Sequence, residues 1–147
     1  MLAACAQNTP SGGAGDFAAG SVNDPSSPAY FQARVGDRVF FAVDKSDLSP
    51  EARTTLNAQA AWLMENTLYD AIIQGHTDER GTREYNLALG ARRANSVFEY
   101  LILQGVPEGR LRTVSFGKER PQEACSSEAC YAQNRRSVTL VASGTGV

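Results

Sequence analysis

Apolar and polar residues fall into alternating blocks along the chain, and the period within each block predicts its element. Arg38-Val39-Phe40-Phe41-Ala42-Val43 is a short apolar run rich in aromatic and β-branched residues, which predicts a strand. Ser49-Pro50-Glu51 reads as a helix start: a serine N-cap, proline at the first helical position, then an acid favourable to the helix dipole. Leu56, Ala60, Leu63 and Met64 follow at helical spacing, and Trp62 on the same helix reads as packing. Asp70 to Gly75 is a second strand. Leu87, Ala91, Ala94, Val97, Phe98 and Leu101 form one apolar stripe on a helix from Glu84 to Gln104, stopped by Gly105 with Pro107 beyond. Leu111 to Phe116 predicts a third strand, Ser127 to Gln133 a short helix, and Ser137 to Ala142 a last strand. The order βαβαβ(α)β implies an α/β (α+β) two-layer sandwich, a mixed sheet with its helices on one face.

Before these elements the pattern fails. Residues 6–29 are mostly Gly, Ser, Ala, Asn and Pro, too poor in large apolar side chains to offset their ordering entropy, and predict a flexible tether. As a coil of about 25 residues it has an r.m.s. reach of roughly 25–30 Å. The folded unit is expected over 30–142, with 143–147 as a disordered tail. The chain has 147 residues, 42% of them hydrophobic, enough for one adequate core. A net charge of −2 gives no global basic field and points away from nucleic acid. No apolar run approaches the roughly 20 residues that span a bilayer.

The three cysteines divide by position. Leu2-Ala3-Ala4-Cys5 resembles a bacterial lipobox, the end of an apolar signal whose cysteine is lipidated. A chance Ala-rich start gives the same letters, and the pattern alone does not choose. Cys125 and Cys130 lie close together in a polar loop. In an oxidising compartment they pair as a local staple and leave Cys5 as the odd one; elsewhere they stay free thiols. His76 is the sole histidine and no second cysteine pair exists, so no metal site is expected. No cofactor is expected either.

The candidate chemistry lies in Gly75-His76-Thr77-Asp78-Glu79-Arg80-Gly81 and the helix after it. Asp78 sits in a Gly-bounded loop. Asn86 and Arg93, seven apart, share a helix face with Leu89 between them. An acid and an arginine so placed can grip a molecule that carries an ammonium and a carboxylate on one carbon: Asp78 takes the ammonium, Arg93 clamps the carboxylate. Other roles suit the same residues. An aspartate in such a loop serves as an Asx cap, and helix arginines form solvated ion pairs. His76 reads as a satisfied loop histidine rather than a base. Nothing resembles a nucleophile with a base and an orienter, so no enzyme is expected.

The stretch from Gly75 through Asn95 resembles the peptidoglycan-associated lipoproteins of the outer-membrane protein A (OmpA) C-terminal domain family. Val39-Phe40-Phe41 before Asp44-Lys45-Ser46-Asp47-Leu48 matches too, as do Val114 to Pro121 and Asn134 to Val138. The resemblance covers about four-fifths of the chain in the family's order. It implies the OmpA C-terminal-like fold and non-covalent binding of the peptide stem of peptidoglycan at meso-diaminopimelate, a residue with a free ammonium and carboxylate when uncrosslinked. The ligand-binding acid falls on Asp78, the arginine on Arg93 and the polar helix-start contact on Asn86. Phe41, Val43 and Asp44 from the loop after the first strand, Thr77, Leu89 as an apolar wall, and Arg135 complete the expected site. The resemblance also favours the lipobox: residues 1–5 become the remnant of a lipoprotein signal, with Cys5 lipidated and the chain anchored at the periplasmic face of the outer membrane. The implied partners are peptidoglycan, the outer membrane through that lipid, and the periplasmic β-propeller protein of the Tol system, in the Tol-Pal envelope and cell-division machinery. A chain without the signal is expected to be soluble.

Two departures from the family stand out. Ala42 occupies a place where some members carry an acid, and Cys125 and Cys130 sit where the family has no expected cysteines. Two other classes stay open: an envelope peptidoglycan hydrolase using His76 and Asp78, and a wall anchor of the flagellar-stator type.

Overall fold

The computed structural model describes residues 18–143. Cys5, the first half of the expected tether (6–17) and residues 144–147 lie outside them. A short helix α1 (Pro28–Tyr30) runs into a π-helical turn (Phe31–Gly36). Then follow β1 (Arg38–Phe40), α2 (Pro50–Glu65), β2 (Tyr69–His76), α3 (Arg83–Leu103), a 3-10 turn (Glu108–Arg110), β3 (Leu111–Gly117), α4 (Glu128–Asn134) and β4 (Arg136–Ser143). The sheet order is β1-β4-β2-β3. The last strand lies between β1 and β2, antiparallel to both, and β2 pairs parallel with β3. The sheet is therefore mixed, as expected.

One face of the sheet builds the core. Val39, Ala71, Ile73 and Leu111 pack against Leu56, Ala60 and Leu63 of α2 and Ala94, Val97 and Leu101 of α3. The period-2 alternation of β2 follows from this: Ala71, Ile73 and Gly75 are buried while Ile72 and Gln74 between them are only partly covered. The start of α2 is where its serine and proline placed it, and α3 begins one residue ahead of the expected Glu84, on a threonine cap. The Ser49 hydroxyl accepts from the Ala52 N–H at 3.0 Å with Pro50 at the first position, and the Thr82 hydroxyl accepts from the Tyr85 N–H at 3.0 Å.

Three local differences from the sequence reading have physical causes. The first strand stops at Phe40 rather than Val43. Beyond it the chain leaves the sheet, Asp44 adopts a left-handed φ of 59°, and the Lys45 N–H closes a turn on the Ala42 carbonyl at 3.1 Å. The buried face of α3 begins on Asn86, Leu89, Gly90 and Arg93, not on Leu87 and Ala91. Gly90 sits so close to β2 that a Cβ on Gly75 would lie 1.7 Å from its carbonyl oxygen. That approach turns the helix, and Ala91 faces outward. The packed unit also starts ahead of Tyr30. The Trp62 indole N–H donates to the Pro25 carbonyl at 2.8 Å, the Ala29 N–H donates to Ala19 at 2.9 Å, and Ser27 and Ala29 are buried.

Candidate functional site

Asp78 leaves β2 just past a register irregularity between Gly75 and His76. The Thr77 N–H donates to the Gly117 carbonyl at 2.9 Å, and its hydroxyl donates to the Asp78 carbonyl at 3.0 Å, so the loop is fixed at its root. Gly81 turns it with φ 101°, a conformation costly for residues with a Cβ. Asn86, on the first turn of α3, closes it from the other side: its amide donates to the carbonyls of Arg80 at 2.8 Å and Thr82 at 3.1 Å.

Beside this loop lies a hollow of about 310 Å³. Val43, Asp44, Thr77, Asp78, Asn86, Leu89, Arg93 and Arg135 border it, all of them expected from the sequence. Arg80, Gly81 and Tyr85 border it too and were not expected. Tyr85 donates its hydroxyl to the Asp44 carboxylate at 3.0 Å, which holds the rim together across two segments and raises the phenol pKa. Phe41 stands apart from the hollow: its ring lies under the Arg93 guanidinium, 5.1 Å from centroid to carbon, and its backbone bonds to Arg135.

That backbone explains why β1 is short. Arg93 is 0% exposed. Its Nε donates to the Lys45 carbonyl at 2.8 Å, Nη1 to His76 at 3.0 Å and Nη2 to Ala42 at 3.0 Å. Arg135 exchanges bonds with Phe41: its Nε donates to the Phe41 carbonyl and its carbonyl accepts from the Phe41 N–H, both at 2.9 Å. Two buried guanidinium groups thus consume the carbonyls of a segment that would otherwise extend the strand. Burial, with the neighbouring Arg135 charge, pulls the Arg93 pKa down to about 10, so the group stays charged at neutral pH. Three of its five N–H donors are committed to carbonyls. The side chain expected from the sequence to clamp a carboxylate is thus one that first buckles the site together.

Asp78 is 7% exposed and has two arginine partners. Its Oδ2 accepts from Arg80 Nη2 at 2.8 Å and from Arg135 Nη1 at 3.4 Å. Its Oδ1 accepts from the Arg80 backbone N–H at 3.0 Å and from Nε at 3.3 Å. Burial opposes ionisation, but these bonds prevail and hold the carboxyl below its usual range. The signal for Arg80 was present in the sequence as a basic residue two positions after the acid. A spacing of two in a turn lets a side chain fold back onto its neighbour.

His76 is 1% exposed and does not border the hollow. Its ring stacks on Phe116 at 5.5 Å and its Nε2 meets the Gln74 carboxamide oxygen at 3.1 Å. Burial first, then the charges of Arg136, Arg38 and Arg120, push its pKa down to about 3. It reaches the site only through its backbone carbonyl. Cys125 and Cys130 are joined by a disulfide. The stapled segment touches the loop: the hydroxyls of Ser126 and Tyr131 donate to one oxygen of Glu79 at 2.6 and 2.9 Å. Among the described residues no group of His, Cys, Asp and Glu is gathered for a metal, and no helix is long and apolar enough to cross a membrane.

A loop acid and a helix arginine at one hollow, on a four-stranded mixed sheet, define a class. The OmpA family model matches residues 40–135, and the chain belongs to that family. Among its relatives, a peptidoglycan-associated lipoprotein of Rhizobium meliloti is 48% identical over 142 residues, 95% of this chain and 81% of that one. One from Pseudomonas aeruginosa is 52% identical over 97 residues, 66% of this chain and 57% of that one. The crystal structure of the peptidoglycan-associated lipoprotein from Burkholderia pseudomallei superposes with a TM-score of 0.73 at 39% identity, covering 82% of this chain and 98% of that one.

Proposed function

We propose that the chain binds peptidoglycan non-covalently through the uncrosslinked end of a diaminopimelate stem. The observation that carries this reading is the pair of opposite charges, Asp78 and Arg93, bordering one hollow with Leu89 as an apolar wall. The ligand's ammonium goes to Asp78, and its carboxylate lies in the field of Arg93 with Arg135 beside it. Arg93 is fully buried and holds three carbonyls, so in this reading it acts on that carboxylate through its charge. The names of the relatives support the wall as the ligand. The same reading assigns Cys5 as a lipidated anchor in the outer membrane, residues ahead of the packed unit as the tether, and the Tol system's β-propeller protein as a periplasmic partner. Several acyl chains of a bacterial lipoprotein hold such an anchor firmly. In this reading the chain performs no chemistry on the wall. The neutral, inward-facing His76 favours binding over hydrolysis, because the hydrolase alternative needs that ring as a base at the hollow.

Titration calorimetry with a meso-diaminopimelate stem peptide tests this. Binding is expected, with clear preference over a lysine-type stem that lacks the far carboxylate, and loss in Asp78→Asn. Equal affinity for both stems rejects the role given to Arg93. Incubation with purified walls separates the hydrolase, which releases fragments, from the binder, which is retained reversibly.

A further inference from the structure

The Asp78 carboxylate is not open. Every contact that orients it comes from an arginine, and the two arginines differ in freedom. The Arg135 side chain is 8% exposed and pinned at three points: the Phe41 carbonyl at 2.9 Å, Glu128 Oε2 at 2.9 Å and Asp78 itself at 3.4 Å. The Arg80 side chain is 47% exposed, and it makes the shorter bond to Asp78, 2.8 Å. A ligand ammonium that reaches Asp78 therefore meets the Arg80 guanidinium already in its place.

Arg80 is also held on its far side, by contacts it can keep when it leaves Asp78. Its guanidinium carbon lies 4.2 Å from the centre of the Tyr131 ring, and Glu128 Oε1 is 3.9 Å from Nη2. A ring face and a carboxylate both suit a displaced guanidinium. When the side chain swings, the Arg80 backbone N–H stays on Asp78 Oδ1 at 3.0 Å, so the carboxylate keeps its orientation for the incoming cation.

We propose that Arg80 is a specificity latch: a resident cation on Asp78 that the ligand's ammonium must displace, moving toward Glu128 and Tyr131 as the ligand seats. This rests on the reading of Asp78 as the ammonium site. The latch makes entry a cation-for-cation exchange. A carboxylate-only molecule leaves Arg80 in place and finds that side of the hollow closed. Only a ligand bringing its own cation gains Asp78.

The test is calorimetry of the wild-type protein, Arg80→Gln and Arg80→Lys with the same diaminopimelate stem peptide. A half-exposed ion pair is worth little, so Arg80→Gln is expected to bind up to about fivefold tighter. Arg80→Lys keeps the charge without the fork and falls between the two. In wild-type protein, the Nε–H resonance of Arg80 moves during the titration by more than that of Arg135, whose Nε stays on the Phe41 carbonyl. Weaker or equal binding by Arg80→Gln overturns the latch, since Arg80 then grips the ligand or ignores it. Tighter binding by Arg80→Gln with wild-type affinity in Arg80→Lys also overturns it, in favour of a long-range charge effect. No binding by the wild-type protein overturns the reading of the site itself and the latch with it, whereas binding without tightening in Arg80→Gln overturns the latch alone.

Discussion

Arg93→Ala is the substitution most naturally chosen to probe ligand binding, and the structure predicts that it reports mainly on folding. The side chain is 0% exposed and gives three charge-assisted hydrogen bonds to carbonyls of Ala42, Lys45 and His76. Each such bond is worth about 1.5–3 kcal/mol net, so the gross loss is about 5–9 kcal/mol. Water entering the vacated space recovers part of it by solvating the freed carbonyls. We expect a loss of about 4 kcal/mol, a large share of the total of about 5–15 kcal/mol available to a domain of this kind. The segment from Ala42 to Lys45, which has left the sheet and has little else to hold it, is expected to loosen first.

Equilibrium urea unfolding at neutral pH, followed by circular dichroism, gives the number. Arg93→Lys retains charge but cannot reach three carbonyls in three directions, and is expected to lose about 2 kcal/mol, an intermediate value. Asp78→Asn is the contrasting variant: it keeps the loop's shape and the backbone bond from Arg80, costs about 1 kcal/mol, and loses the ligand. If Arg93→Ala unfolds within about 1 kcal/mol of wild type, the carbonyl buckle is not what holds the site, and the reasoning fails. If it is strongly destabilised, loss of wall retention in that variant says nothing about a carboxylate clamp, and only the stem-peptide comparison does.

Stability should fall on acidification through His76. Its native pKa is lowered from 6.5 to about 3, so below pH 6.5 the unfolded chain takes up a proton that the native imidazole refuses, and the loss accrues from pH 6.5 down toward 3. By pH 4.5 this amounts to about 3 kcal/mol, and His76→Gln should show a correspondingly shallower drop between those two pH values. An identical drop in both proteins contradicts it. Gly75→Ala should be destabilised by about 3 kcal/mol or more, because its Cβ would lie 1.7 Å from a backbone oxygen of α3, while Gly109→Ala, with nothing within 4 Å, should melt like wild type. Cys125 and Cys130 should resist alkylation until reduced, with reduction costing about 2 kcal/mol; labelling of unreduced protein at either position, followed by mass spectrometry, would show the staple absent.

The elements were legible because their signals are local. Serine and threonine caps, Pro50 and the stop at Gly105 fix helix ends within a few residues of themselves, and the alternation in β2 needs only its own side chains. The site loop was legible for the same reason: Asp78, its bounding glycines and the Asn86–Leu89–Arg93 face lie within one stretch of chain. What the sequence hid depends on partners far away in it. The rotation of α3 depends on Gly75 and Gly90, two residues without side chains, which no hydrophobic pattern reports. The early end of β1 depends on Arg135, 94 positions on from Phe41, and on Arg93, 51 from Ala42. Trp62 looked like packing and is, but it also anchors Pro25, so a segment with a tether's composition is partly docked.

The failure of the strand pattern and the presence of the site have one cause. A run of Phe41-Ala42-Val43 would extend β1 if its carbonyls had a neighbouring strand to pair with. Instead the carbonyls of Phe41 and Ala42 accept from guanidinium groups, which the sheet could not bury without such acceptors, because an unpaired charge in a core is far costlier than a lost ladder bond. Shortening the strand therefore does two things at once: it supplies acceptors for Arg93 and Arg135, and it opens a space between the departing chain and the Asp78 loop. The space is lined with fixed positive charge on one side and a carboxylate on the other, before any ligand arrives. The orientation of these groups is set by folding, and Arg80, half-exposed where Arg93 and Arg135 are buried, is the charged group of the hollow that can be substituted with least effect on the fold.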